Sequence, residues 1–423
     1  MSAFQPHCFT VKRRSSLKEA PYYPYILWVL AAVFYFYEFI HRIIPSVLTT
    51  EWMLTFSANA GALGQLSASY FYTYALLQIP LGILFDCYPT HILLSLASLT
   101  VALGSIILAS TEVFVSALVA RCLIGAASAF AFIGCLRIIQ RTLPFTQQAR
   151  FIGLTNALGV VGALAGGPLL ASLLKHCSWQ KLMLISTLFG MVLSFMLAWG
   201  RLPEHNKSLS PKGLPAVIKK LPQLLNNSAT WGLGIFAGLM VAPMVCLAEL
   251  WDVPFLCIRY GFSTKEAASL VSWVFIGVAI GGPLIGWLED RWQKPWILMR
   301  FGAGIATLAT IILFYGPLLS KLSNGFWHLL LGMASSSMLL CFSLPFKSTL
   351  PRSSRIALLN TMAMLGGAVF QPLIGTILDS RGSYQVSDFQ LAFLSLPLCQ
   401  ISAFILSFVL SAHPEYSTMA TKE

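Results

Sequence analysis

Twelve apolar runs, each 18 to 24 residues long, dominate this sequence and leave little room for anything else to fold. They fall at 25–48, 62–85, 92–111, 113–136, 151–174 and 182–199, then at 231–251, 266–288, 296–319, 325–346, 355–378 and 390–411. A hydrocarbon layer about 30 Å thick is crossed by about 20 helical residues. Within it each backbone N–H and C=O must find a partner in the protein, which an α-helix supplies by itself. The runs therefore predict an all-α membrane protein of twelve transmembrane helices. Composition agrees: 57% of the 423 residues are hydrophobic and 10% charged, against about 25% charged in soluble domains.

The formal net charge of +12 would suggest nucleic acid in a soluble chain, but here the basic residues sit in short tracts between apolar runs. They serve as topology signals. With a cytoplasmic N-terminus, 19 Lys and Arg fall on the inner side and six on the outer (Lys175, Lys181, Arg259, Lys265, Lys321, Arg381), while Arg42 and Arg121 lie within spans. The bias places both termini in the cytoplasm. The first run has no small-residue cleavage site and is read as a retained span, not a signal peptide. Nine scattered cysteines without C-x-x-C spacing are read as small hydrophobes. No G-x-x-x-x-G-K-[ST] loop occurs, so ATP is not expected to drive this chain. With no soluble domain to carry a catalytic or metal constellation, no enzyme activity, cofactor or metal is expected.

The one long polar connection, with four lysines and four prolines between Arg201 and Ser228, separates two sets of six runs. The division is 1–200 for the N-terminal half, 201–228 for a cytoplasmic linker and 229–423 for the C-terminal half. The halves repeat at one offset. Gly82 and Asp86 precede Gly286 and Asp290 by 204 residues, and Asn156, Gly162, Pro168 and Leu169 precede Asn360, Gly366, Pro372 and Leu373 by the same 204. Six coincidences at one spacing indicate a duplicated six-helix unit and two pseudo-symmetric bundles.

These residues resemble the major facilitator superfamily over nearly the whole chain. Gly82-Ile-Leu-Phe-Asp86 is similar to the start of its G-x-x-x-D-R-x-G-x-[RK]-[RK] loop, and the second copy at Gly286 keeps Asp290-Arg291. Arg121-Cys-Leu-Ile-Gly125 is similar to the R-x-x-x-G pattern of the fourth helix, and Pro203-Glu204 to the tail after the sixth. Phe34 to Val47 and Ala248 to Phe255 look like a branch of bacterial permeases related to lysosomal dipeptide transporters. Glu38-x-x-His41-Arg42 is similar to the E-x-x-E-R of proton-coupled oligopeptide transporters, with histidine at the second acid. The resemblance implies secondary transport by alternating access, with Asp86, Asp290 and Arg291 in closing latches and Glu249 and Asp252 near the outer mouth.

Ionisable groups at membrane depth cost about 2.5 to 3.5 kcal/mol each on insertion scales, so they are paired, line a cavity or act. Glu38, His41 and Arg42, at i, i+3 and i+4, share one face of the first helix. Either Glu38 and Arg42 form an internal ion pair, or this face binds solute and proton. Arg121 is a further anion-binding candidate. Arg42 is expected to pair with Glu249 or Asp252 when the outer mouth is closed. Tyr35, Tyr37, Tyr70, Tyr72 and Tyr74 make the first two helices phenol-rich. The resulting expectation is a monomeric, proton-coupled carrier of a dipeptide, amino acid or organic anion in a bacterial inner membrane. An exporter of hydrophobic compounds is the alternative, favoured by Gly159, Gly162, Gly166, Gly167 and Pro168. A non-transporting receptor or scaffold is the alternative of another class.

Overall fold

The computed structural model describes residues 22–200, 227–344, 352–413 and 416. The N-terminal basic tract, all but the end of the expected 201–228 linker, Lys347 and the Asp86 side chain lie outside the described residues. The N-terminal half comprises α1 (Tyr23–Val47), α2 (Ala60–Cys87), α3 (Thr90–Ser110), α4 (Phe114–Thr142), α5 (Phe145–Leu164) and α6 (Trp179–Trp199). The C-terminal half comprises α7 (Ser228–Cys246), α8 (Thr264–Trp292), α9 (Pro295–Tyr315), α10 (Lys321–Ser335), α11 (Arg352–Arg381) and α12 (Val386–Phe393). Four of these run on past those bounds. α5 passes through a π turn (Ala165–Leu169) into Leu170–Leu173, and α7 through another (Leu247–Trp251) into Asp252–Tyr260. α10 continues to Ser343, and α12 to Ser411. A short helix, Thr49–Thr55, follows α1.

Eleven of these helices, counted with their extensions, are long and apolar enough to cross a bilayer, and α2, 28 residues long, completes twelve. The protein is thus a multi-pass, all-helical membrane protein. The duplication is visible in the helix starts: Ala60 and Thr264 stand 204 residues apart, Thr90 and Pro295 205. Polar side chains cap α2, α7 and α8. The Asn59 side chain accepts the Ala62 N–H at 2.8 Å, Asn227 caps α7, and Ser263 forms a capping box with Glu266. The apolar runs underestimate α7 most, because Asp252 interrupts the hydropathy while the helix continues to Tyr260 and stops at Gly261 with φ of 68°.

Small residues bring the halves together. An added Cβ at Gly64 of α2 would sit 2.6 Å from the Gln371 oxygen of α11, and one at Gly375 would sit 2.2 Å from the Ala60 oxygen. Backbone therefore lies against backbone where α2 crosses α11. At this end of the molecule the Asp379 carboxylate of α11 accepts the N–H groups of Ala60 at 2.9 Å and Gly61 at 2.7 Å. The start of α2 leaves its first N–H groups unpaired and carries partial positive charge, so a carboxylate from the opposite half satisfies both needs. Tyr384 steadies that carboxylate by donating to it at 2.7 Å. Nearer the middle, Thr361 donates to the Ala75 oxygen across the same crossing.

Candidate solute-binding site and gate

α1 carries Glu38, His41 and Arg42 in its buried length. The three do not act as one face. Arg42 reaches across to the C-terminal half, where its Nε donates to both carboxylate oxygens of Glu249 at 2.9 Å, and its Nη2 lies 2.9 Å from Oε1. Both side chains are buried. The Phe39 and Phe71 rings flank the guanidinium at 5.3 and 5.5 Å, removing it from water and strengthening the charge pair.

Glu38 is not in that pair. The Tyr70 hydroxyl of α2 donates to its Oε1, while its buried Oε2 has no hydrogen-bond partner among the described residues. Tyr70 stacks on Tyr74 with centroids 5.9 Å apart, so these two of the expected phenols gather on the Glu38 side, whereas Tyr37 donates to the Ser186 oxygen and Tyr72 is exposed. The internal Glu38 to Arg42 ion pair is absent because Arg42 extends one turn further, to α7. His41 turns the other way. Its Nε2 lies 2.8 Å from Ser186 Oγ of α6 and 3.3 Å from Ser105 Oγ of α3. The i and i+3 positions are about 60° apart around a helix, which is enough to place His41 among the helices of its own half.

Arg121 enters from α4 and is 1% exposed. Its Nη1 donates to the His41 backbone oxygen at 2.8 Å, and its guanidinium lies 5.1 Å from the Tyr70 ring centre. Nε and Nη2 are buried and have no partner among the described residues. Gly125 makes this approach possible: an added Cβ there would sit 2.2 Å from the Tyr70 oxygen, so α4 and α2 touch through backbone one turn from Arg121. Arg42 is thus neutralised by Glu249, whereas Arg121 is a buried cation with no ion-pair partner among the described residues.

The remaining predicted gate residues separate. Asp252, expected beside Arg42, instead meets His328 of α10, with Oδ2 2.8 Å from Nε2. The π turn ending at Trp251 rotates Asp252 away from the face that Glu249 occupies. Asp290 and Arg291 are exposed near the end of α8, remote from this cluster. Sequence reasoning missed His328 and Asp379, although an ionisable histidine inside an apolar run is a signal of the same kind as Glu38.

Two six-helix halves joined by crossing pairs, around a cluster of buried charges, define a membrane carrier. The sequence model of the Major Facilitator Superfamily matches residues 27–370, and the chain belongs to that superfamily; it is a transporter, not an enzyme. It is 23% identical over 408 residues to the uncharacterized transporter YybO of Bacillus subtilis (strain 168), spanning 88% of this chain and 91% of that one. Similarity to the hexuronate transporter of the same organism is 21% over 347 residues, 79% and 76% of the two chains. Similarity to the gallate transporter of Pseudomonas putida is 27% over 206 residues, 41% and 45% of the two. Among solved structures, a bacterial homologue of the human lysosomal transporter Spinster, in an inward-facing and unoccupied conformation, has a TM-score of 0.68 at 18% identity and covers 94% of this chain and 97% of its own. That likeness concerns the fold.

Proposed function

We propose that the protein carries a small organic anion across a bacterial inner membrane by alternating access, coupled to protons. The observation that carries this reading is the buried Arg121 guanidinium, whose Nε and Nη2 have no partner among the described residues. Buried guanidinium N–H groups without a direct partner are costly unless an anion arrives to meet them. A carboxylate fits its fork through two parallel hydrogen bonds. Relatives named for hexuronate and gallate transport support the same solute class. A dipeptide or amino acid has the required carboxylate as well, but its ammonium group would need an acid, and Glu38, across Tyr70 from Arg121, is given to the proton in this reading.

The Lys and Arg bias assigns the end closed by Asp379 and by Arg42 with Glu249 to the outside. With that end closed, the solute would have to come and go on the cytoplasmic side, and alternating access requires those contacts to break when the carrier turns outward. Glu38, whose second oxygen lacks a partner, is the proposed proton acceptor. Solute and proton would each raise the other's affinity, as linkage demands.

The test is uptake of labelled glucuronate and gallate into proteoliposomes. The wild type should accumulate one of them, and Arg121→Gln should abolish it. Unaltered uptake by the glutamine variant, or a wild type that moves hydrophobic dyes and no carboxylate, rules this reading out.

A further inference from the structure

Asp252 and His328 are both fully buried and face each other across the α7 and α10 contact. The hydrogen-bond count at this imidazole is decisive. His328 Nδ1 lies 2.8 Å from the Asn324 backbone oxygen. A carbonyl oxygen only accepts, so Nδ1 must carry a hydrogen. Nε2 lies 2.8 Å from Asp252 Oδ2. With Nδ1–H fixed, a neutral imidazole would turn its lone pair towards a carboxylate lone pair at that distance. The contact holds only if one more proton lies between the two atoms, on Nε2 as imidazolium or on Oδ2 as carboxylic acid.

We propose that Asp252 and His328 form a proton-binding site in the C-terminal half, separate from Glu38. Its existence does not depend on the identity of the solute, whereas its coupling role rests on the reading above. With the proton bound, the pair has no net charge and can stay dry. Without it, the pair carries one negative charge in a fully buried place, which is unfavourable until water reaches it. Loss of the proton therefore favours separation of α10 from the outer segment of α7.

Among the described residues, nothing else nearby balances that charge. Glu249, three residues earlier on α7, is held by Arg42 of α1. Arg259, at the far end of the segment, donates to the Phe314 and Gly316 oxygens that end α9. Glu266 of α8 and Lys321 of α10 pair with each other at the surface, 2.6 Å apart. Asp388 of α12 faces Arg381 of α11 at 3.5 Å. Asp252 Oδ1 and both amide atoms of Asn324, one turn from His328, are buried without partners among the described residues.

The experiment is ¹⁵N NMR of the full-length, histidine-labelled protein in detergent, with the His328 ring signals assigned by their loss in His328→Gln. Between about pH 5 and pH 9, the range in which histidine sites titrate, Nδ1 should stay protonated while the Nε2 signal moves through one step. In Asp252→Asn the asparagine amide can donate to Nε2, so that step should disappear. An Nε2 signal that is constant across the range, or a step of equal midpoint in Asp252→Asn, overturns the proposal. A second arm measures uptake of whichever of glucuronate and gallate the wild type accumulates, into proteoliposomes with and without an acid exterior. His328→Gln should lower the ratio of the two to about 1, and a ratio equal to that of wild type refutes the coupling role. If wild type moves neither, the organic-anion reading falls while the NMR arm still decides the proton site.

Discussion

Arg42 and Glu249 stand 207 residues apart in sequence and 2.9 Å apart in space, one on each half of the carrier. The pair bridges the two halves, and Phe39 and Phe71 flank its guanidinium. Removing one partner leaves the other buried and uncompensated, at a cost of about 3 to 5 kcal/mol. Glu249→Gln should accordingly lower the thermal unfolding midpoint in detergent. The double variant Arg42→Met with Glu249→Met should recover the midpoint yet not transport. A single variant as stable as wild type would show that the pair is solvated.

Arg121 should behave oppositely. Since its guanidinium makes no direct ion pair among the described residues and leaves Nε and Nη2 without partners, Arg121→Met is expected to keep or raise the unfolding midpoint while eliminating the thermal shift given by glucuronate or gallate. Arg121→Lys should bind at least about tenfold more weakly, because an ammonium group cannot reproduce a planar fork. Equal ligand-induced shifts in wild type and both variants would remove Arg121 from the site.

Gly64 offers a mechanical test. The Cβ of Gly64→Ala would lie 2.6 Å from the Gln371 oxygen and 2.8 Å from Pro372 Cα, wedging α2 from α11 at the closed end. Ser46, 2% exposed in the present arrangement, reports on that end. Ser46→Cys should react faster with a membrane-impermeant maleimide when Gly64→Ala is also present. Equal rates would mean that the crossing yields without opening.

Topology follows from charge placement alone. A reporter fused after Glu423 should read cytoplasmic, and one between Lys175 and Lys181 external, given 19 basic residues on one side and six on the other. Reversed labelling would invert the assignment of the closed end.

The twelve spans and their duplication were legible because hydropathy and a fixed offset are properties of the chain itself. The choice of partners was not. Glu249 and Asp252 looked equivalent for Arg42, being three residues apart on one expected helix, and only the π turn between Leu247 and Trp251 separates their directions. His41 appeared to belong with Arg42 because a helical wheel gives neighbours but not which of them faces the other half. Asp379 sits at the end of a span, where an acid reads as a solvated anchor, and its role depends on the α2 N-terminus brought to it by the fold.

That π turn sets the phase of the outer segment. A π turn holds one residue more than the α-helix it interrupts. If the same residues closed into regular α-helix with the count unchanged, everything after the turn would rotate by about 100°, the step of one helical residue. Asp252 would then leave His328, and Arg259 would leave the carbonyls that end α9. Deleting one of Leu247, Ala248 or Leu250 removes the extra residue together with the bulge, so the outer segment keeps its phase. A shorter α7 can therefore present the same outer face, whereas a straightened one of the same length cannot.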